Sequence, residues 1–187
     1  MEMTSTRTVP APVETVWTAL NDLEVLKSCI PGCEAIEPDG ENAYRIGMAA
    51  RIGPVAAKFS GRMQLADIDP PRGYTLSFDG QGGAAGFAKG EAHVALAPAE
   101  NGSATALSYT VKAQVGGKIA QIGSRLVDGA AQKLADDFFG RFSDAVAAKA
   151  GVAQVPVPAG APRHWIRYVA VALLLALLAY LFWQMKK

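Results

Sequence analysis

The stretch Gly116–Lys149, GGKIAQIGSRLVDGAAQKLADDFFGRFSDAVAAK, decides how the rest of the chain reads. Ile119, Ile122, Leu126, Val127, Ala130 and Leu134 recur at three- and four-residue steps, while Lys118, Gln121, Arg125, Asp128 and Gln132 fall on the other side. That is the pattern of one long amphipathic helix. Beyond Leu134 the apolar set passes to Phe138, Phe142, Ala145 and Val146, so the stripe curls around the axis as it would against a curved surface. Gly116-Gly117 opens the helix, Lys149 falls in its last turn and Gly151 stops it.

Everything upstream reads as the surface that receives this helix. Residues 1–9 alternate as an edge strand until Pro10-Ala-Pro12, and Pro12 suits the start of a helix carrying Val13, Val16, Trp17 and Leu20 on one face. A second short helix spans Leu23 to Ser28 and stops before Ile30-Pro31-Gly32. The period then changes to two. Tyr44, Ile46, Met48, Ala50 and Ile52 alternate with polar or small residues up to the Gly53-Pro54 turn, and Val55, Ala57, Phe59, Gly61, Met63 and Leu65 continue on the return. Tyr74, Leu76 and Phe78, then Ala92, Val94 and Leu96, then Leu107, Tyr109, Val111 and Ala113 complete a meander. The fold class is therefore α+β, a curved antiparallel sheet wrapped around a long C-terminal helix.

The inward rows contain gaps. Ala57, Gly61, Gly90, Ala92 and Ala113 fall where a filled core prefers larger side chains, and Gly123, Ala130 and Ala131 are small residues on or beside the helix face opposite. Two packings satisfy this pattern: the helix sinks onto the sheet, or an apolar cavity stays open between them.

Charge and chemistry exclude more than they assign. Residues 163–187 hold four basic residues and no acid, so residues 1–162 carry 14 basic against 17 acidic side chains, and no nucleic-acid partner is expected. Two cysteines, Cys29 and Cys33, are too few for a disulfide framework or a metal site of their own. Gly80-Gln-Gly-Gly-Ala-Ala matches a relaxed dinucleotide fingerprint, but the following residues continue as a strand rather than a helix. The glycine-rich tip reads instead as a mobile hairpin loop, either idle or fit to act as a lid or docking element. His93 lies on the wet side of its strand.

From residue 151 to residue 162 the composition shifts to a Pro- and Ala-rich linker reaching at most about 37 Å as polyproline II. Within the final segment, 163–187, Tyr168 to Met185 carries no charge, and 18 helical residues at about 1.5 Å each reach about 27 Å, close to a bilayer's hydrocarbon thickness. Trp165 and Tyr168 at one end, with Tyr180 and Trp183 at the other, suit the two interfacial belts. The N-terminus has no signal-peptide pattern, so the expectation is a single-pass tail anchor in the cytoplasmic membrane, with domain 1–150 in the cytoplasm.

Three stretches, VWTALNDLEVLKSCIPGCE (16–34), GGAAGFAKG (82–90) and GKIAQIGSRLVDGAA (117–131), resemble the CoxG-like family of carbon monoxide dehydrogenase subunits, within the START-like (SRPBCC) helix-grip superfamily. The resemblance covers about residues 2–149. It implies a sheet gripping the long helix and a hydrophobic cavity between them. It also implies a non-catalytic role in attaching a molybdenum-containing CO dehydrogenase, or a related molybdenum hydroxylase, to the membrane. The superfamily's greasy ligands extend the expectation to a respiratory quinone or a membrane lipid, held non-covalently and with no metal. Phe59, Met63, Phe78, Ala92, Tyr109 and Ala113 would line the cavity from the sheet, and Ile122, Leu126 and Phe138 from the helix. Gly82, Gly83, Gly86 and Phe87 would dock the partner. The alternatives are a START-like lipid-binding or cyclase-type enzyme, for which the inward rows offer mainly Tyr44 and Tyr109, and an assembly factor for the dehydrogenase metal centre.

Overall fold

Alternation of apolar and polar residues builds a single sheet. The computed structural model describes residues 1–149. In it seven antiparallel strands, β1 (Glu2–Val9), β2 (Cys33–Pro38), β3 (Ala43–Ile52), β4 (Val55–Asp69), β5 (Gly73–Gln81), β6 (Phe87–Ala99) and β7 (Ala104–Gly116), lie in the order β1-β7-β6-β5-β4-β3-β2. The N-terminal strand is an edge, as its sequence suggests, and pairs with β7 from Glu2↔Lys112 to Val9↔Thr105. Helices α1 (Val13–Leu20) and α2 (Leu23–Cys29) join β1 to β2, while α3 (Lys118–Gln121) and α4 (Ser124–Lys149) follow β7.

The structure departs from the sequence reading in two places. Cys33–Pro38 forms the second edge strand, β2, which the pattern hides because six residues with two glutamates and a proline bury only Ile36. The expected single helix is broken at Gly123, whose φ of +96° lies in the left-handed region. Its carbonyl then accepts from Leu126 and Val127 to start α4. Ile122 and Leu126 keep the helical spacing across that break, so periodicity alone could not reveal it.

The dry core sits at one end of the sheet. Val9, Val16, Leu107, Phe142 and Val146 are almost fully buried there, where α1 and the second half of α4 close on β1, β6 and β7. Thr105 is buried with them, its hydroxyl donating to the Ala11 carbonyl at 2.7 Å. Among the described residues no helix is long and apolar enough to cross a membrane, and the anchor expected at 163–187 lies outside them.

Asp22 ties α2 to the end of α4. Its carboxylate accepts from the backbone N–H groups of Glu24 (3.0 Å) and Val25 (3.2 Å), capping α2, and from Lys149 Nζ at 2.6 Å. The Lys149 hydrogen bond, followed by that from Val25, holds this carboxyl below its usual range. A depressed folded-state pKa contributes stability that is fully present above the unfolded value of about 3.9 and is lost as pH falls from there through the lower folded-state value. Asp22→Asn keeps a cap acceptor but removes the charge. Its melting temperature should therefore lie below wild type at pH 7 and converge with it below about pH 4. A gap that persists unchanged at pH 3 would show that the ion pair contributes nothing.

Candidate functional site

Register determines what faces the helix. On the inner face, Leu65 stands opposite Leu76, Leu76 opposite Ala92, Ala92 opposite Val111, and Val111 opposite Met3. One alanine thus sits in the middle of a row of large side chains. The neighbouring row runs Tyr44, Met63, Phe78, Gly90, Ala113, and the row on the other side runs Tyr74, Val94, Tyr109. Above the alanine, α4 presents Leu134, Ala135, Phe138 and Phe139. Phe139 stacks on Tyr109 with centroids 5.2 Å apart, and Phe138 packs edge-on to Phe139 and stacks on Phe142. This aromatic layer props the helix away from the sheet.

The space left beneath is a cavity of 480 Å³, closed on a further side by Leu23, Leu26, Ile30 and Pro31 in and after α2. That volume lies within the range of about 300–1,000 Å³ typical of small-molecule sites. No charged side chain lines it; its polar lining comes from Asn21 and three tyrosines. The Asn21 amide donates to the Trp17 carbonyl at 2.8 Å. The Tyr109 hydroxyl is itself covered and, with Arg7 Nε, is a buried polar atom without a hydrogen-bond partner among the described residues. Arg7 lies beside it, paired to Asp136 of α4. Tyr44 and Tyr74 remain as the polar handles of the cavity. Burial, with a smaller contribution from the neighbouring Tyr44, pushes the Tyr74 hydroxyl up to about 12, so it stays protonated at neutral pH and available as a donor.

Among the residues the sequence suggests, Met63, Phe78, Ala92, Tyr109 and Phe138 line this cavity. Phe59, Ala113, Ile122 and Leu126 do not. The Phe59 ring lies against Gly82, and a Cβ added to Gly53 in the β3–β4 turn would touch Ile122 and Leu126 at 3.8 and 3.9 Å. Ala113 sits opposite Gly90, where a Cβ would meet the Lys112 carbonyl oxygen at 2.2 Å. Gly90 therefore serves close approach of two bent strands rather than leaving room for a ligand. The β5–β6 tip is also built into the fold. Gly83–Ala85 is a single 3-10 turn with Ala85 buried, Gly86 approaches Gly116-Gly117 too closely for any side chain, and the half-buried Phe87 ring lies over Gly116. The strand on either side of this tip rules out the dinucleotide fingerprint's strand-turn-helix setting. The α2 residues, Tyr74 and Phe139 also line the cavity, beyond what the sequence suggests. Leu23, Leu26 and Ile30 form an apolar three- and four-residue series that could have signalled a buried face. Among the described residues no group of three His, Cys, Asp or Glu side chains is placed to hold a metal ion.

Filling the cavity distinguishes it from a close-packed core. Ala92→Phe should cost under about 1 kcal/mol in thermal or denaturant unfolding, since the ring enters open space, where a packed site would lose about 1–3 kcal/mol. Phe142→Ala, in the dry core beside it, should cost about 3–5 kcal/mol. Equal losses for the two variants would contradict an open cavity.

The sequence profile of the CoxG family of carbon monoxide dehydrogenase subunits matches residues 6–147. Among solved structures, a conserved protein from Geobacillus kaustophilus is 35% identical with a TM-score of 0.75, covering 79% of this chain and 95% of its own. That relative is thus little more than this domain, folded by itself. A Thermus thermophilus protein is 20% identical (TM-score 0.60, 80% of this chain and 99% of its own). A Streptomyces aromatase/cyclase is 14% identical (TM-score 0.57, 78% and 93%). These last two share the helix-grip fold. Comparison with curated proteins gives no match.

Proposed function

The chain belongs to the CoxG family of carbon monoxide dehydrogenase subunits, and from that premise we propose that it is a non-catalytic accessory protein holding a neutral apolar molecule, a respiratory quinone, in its cavity. In this reading it serves a molybdenum-containing carbon monoxide dehydrogenase at the cytoplasmic membrane, where the quinone takes up the enzyme's electrons. The observation that carries the reading is the 480 Å³ cavity without a charged side chain in its lining.

That lining selects against ions. A fatty-acid carboxylate placed there would leave water with no counter-charge, at a cost of several kcal/mol, and protein groups would have to supply every hydrogen bond it lost. A quinone carbonyl needs one neutral donor, and Tyr44 and Tyr74 supply two. Each buried CH₂ of a prenyl tail adds about 0.8 kcal/mol. Catalysis finds less support: the lining has no carboxylate, histidine or cysteine, and a tyrosine with a pKa of about 12 is a poor base at neutral pH.

The test is extraction of the purified chain with organic solvent and mass spectrometry of the extract, before and after incubation with quinone. A stoichiometric prenylated quinone is the expected result, reduced severalfold in Ala92→Phe. Extracts free of any apolar molecule even after reconstitution would sink the ligand reading.

A further inference from the structure

The ionisable residues are segregated along the strands. Residues 42–66, 80–90 and 101–127 contain no Asp or Glu, yet they hold Arg45, Arg51, Lys58, Arg62, Lys89, Lys112, Lys118 and Arg125. Arg45 and Arg62 pair with Asp39 toward one end of the fold, while the middle of the first segment, the second segment and the end of the third come together at the other. There the β3–β4 turn (Gly53-Pro54), the β5–β6 tip (83–85) and the β7–α4 junction meet, as the Gly53 contacts with Ile122 and Leu126 and the packing of Gly86 on Gly116-Gly117 demonstrate. The turns at the opposite end, β2–β3, β4–β5 and β6–β7, carry or adjoin Asp39, Glu41, Asp67, Asp69 and Glu100. The turns at the end around Gly53 therefore carry or adjoin basic side chains, with Asp79, Glu91 and Asp128 the acids that flank them in sequence, whereas the turns at the other end carry acids.

The basic end also carries exposed apolar surface. Leu126 is 52% exposed, more than any other large apolar side chain of the described residues. Ile122, Ile52 and Val55 are half-buried around it, and Pro54 is exposed. Arg51, Lys89, Lys118 and Arg125 join no ion pair among the described residues, whereas most basic residues elsewhere do. Unpaired cations around a small aliphatic tip, on a backbone of Gly, Ser and Pro, match an interface that is anionic outside and apolar a few ångströms deeper.

We propose that this end of the domain, centred on Leu126, Ile52, Arg51, Lys118 and Arg125, docks reversibly on an anionic phospholipid bilayer. The aliphatic tip enters the headgroup boundary while the basic side chains meet lipid phosphates, and the acidic turns point away from the surface. An acidic protein face would satisfy the same charges, but it gives no reason for Leu126 and Ile52 to stand open together, whereas the acyl boundary does. The proposal stands on charge and exposure and is independent of what fills the cavity.

The domain cut after Ala153 serves for the test, because the Geobacillus relative shows that the domain folds without a tail, and residues 1–153 form one compact unit. Co-sedimentation with vesicles of phosphatidylcholine alone and of phosphatidylcholine with phosphatidylglycerol is measured at low and high salt. Binding should occur only to the anionic vesicles and weaken with salt. The triple variant Arg51→Glu, Lys118→Glu, Arg125→Glu should bind at least about tenfold more weakly. Leu126→Ser should also bind more weakly, both with unchanged melting temperature, while Glu100→Gln at the far end should bind as wild type. No binding to anionic vesicles, equal binding to both kinds, or undiminished binding by the triple variant each overturns the proposal. So does a triple variant that loses purified carbon monoxide dehydrogenase but keeps the vesicles, which would assign the surface to the protein partner.

Discussion

The stack of Phe139 on Tyr109 is the contact on which the cavity depends. Without a prop, α4 would settle onto the row containing Ala92, since burying apolar area is favourable and empty space forfeits dispersion contacts. Two aromatic rings in face contact set a floor to that approach. Phe138 and Phe142 continue the layer toward the dry core, where α4 does reach the sheet. One helix therefore packs tightly at its C-terminal half and bridges a void at its middle. The division is made by side-chain size along a single stripe: Leu134, Ala135, Phe138 and Phe139 over the cavity, Phe142 and Val146 over the core.

Two different physical preferences then occupy the two ends of the domain. The end holding α1, the second half of α4 and the acidic turns is filled by the buried core and cross-tied by Asp22 and Lys149. The other end is basic and partly apolar at its surface. Surface charge placed this way changes neither the fold nor the cavity; in the docking we propose, it would orient the molecule toward an anionic surface over distances up to about a Debye length. An accessory protein that exchanges a water-insoluble ligand benefits from such orientation, because the ligand need not cross water.

In and out were legible in the sequence; position along the strand was not. Period-two alternation assigned the correct face to Met63, Phe78, Ala92 and Tyr109, and the register then placed them beside one another. The same parity admitted Phe59 and Ala113, which face inward but lie closer to the basic tip than the crossing of α4. Nothing local specifies where a helix crosses a sheet. That depends on the break at Gly123, on the aromatic prop and on the clamp through α2, all of them tertiary. The glycine at position 90 misled for a related reason, since a missing side chain reads alike whether it makes room for a ligand or lets two backbones touch. Tyr74 was visible as a strand residue, but its role as a polar handle emerges only once burial and the nearby Tyr44 are known.

The central claim is that a neutral apolar molecule enters the space over Ala92, and methyl NMR of the tail-less domain during titration with a short-chain prenyl quinone tests it most directly. Saturable shifts are expected for the methyls of Ala92, Leu65, Leu76 and Val111, with those of Leu96 and Val146 unmoved. Tyr74→Phe should shift the same methyls only at higher quinone concentration. Shifts confined to the Leu126 end, or no saturation at any site, would contradict the central claim.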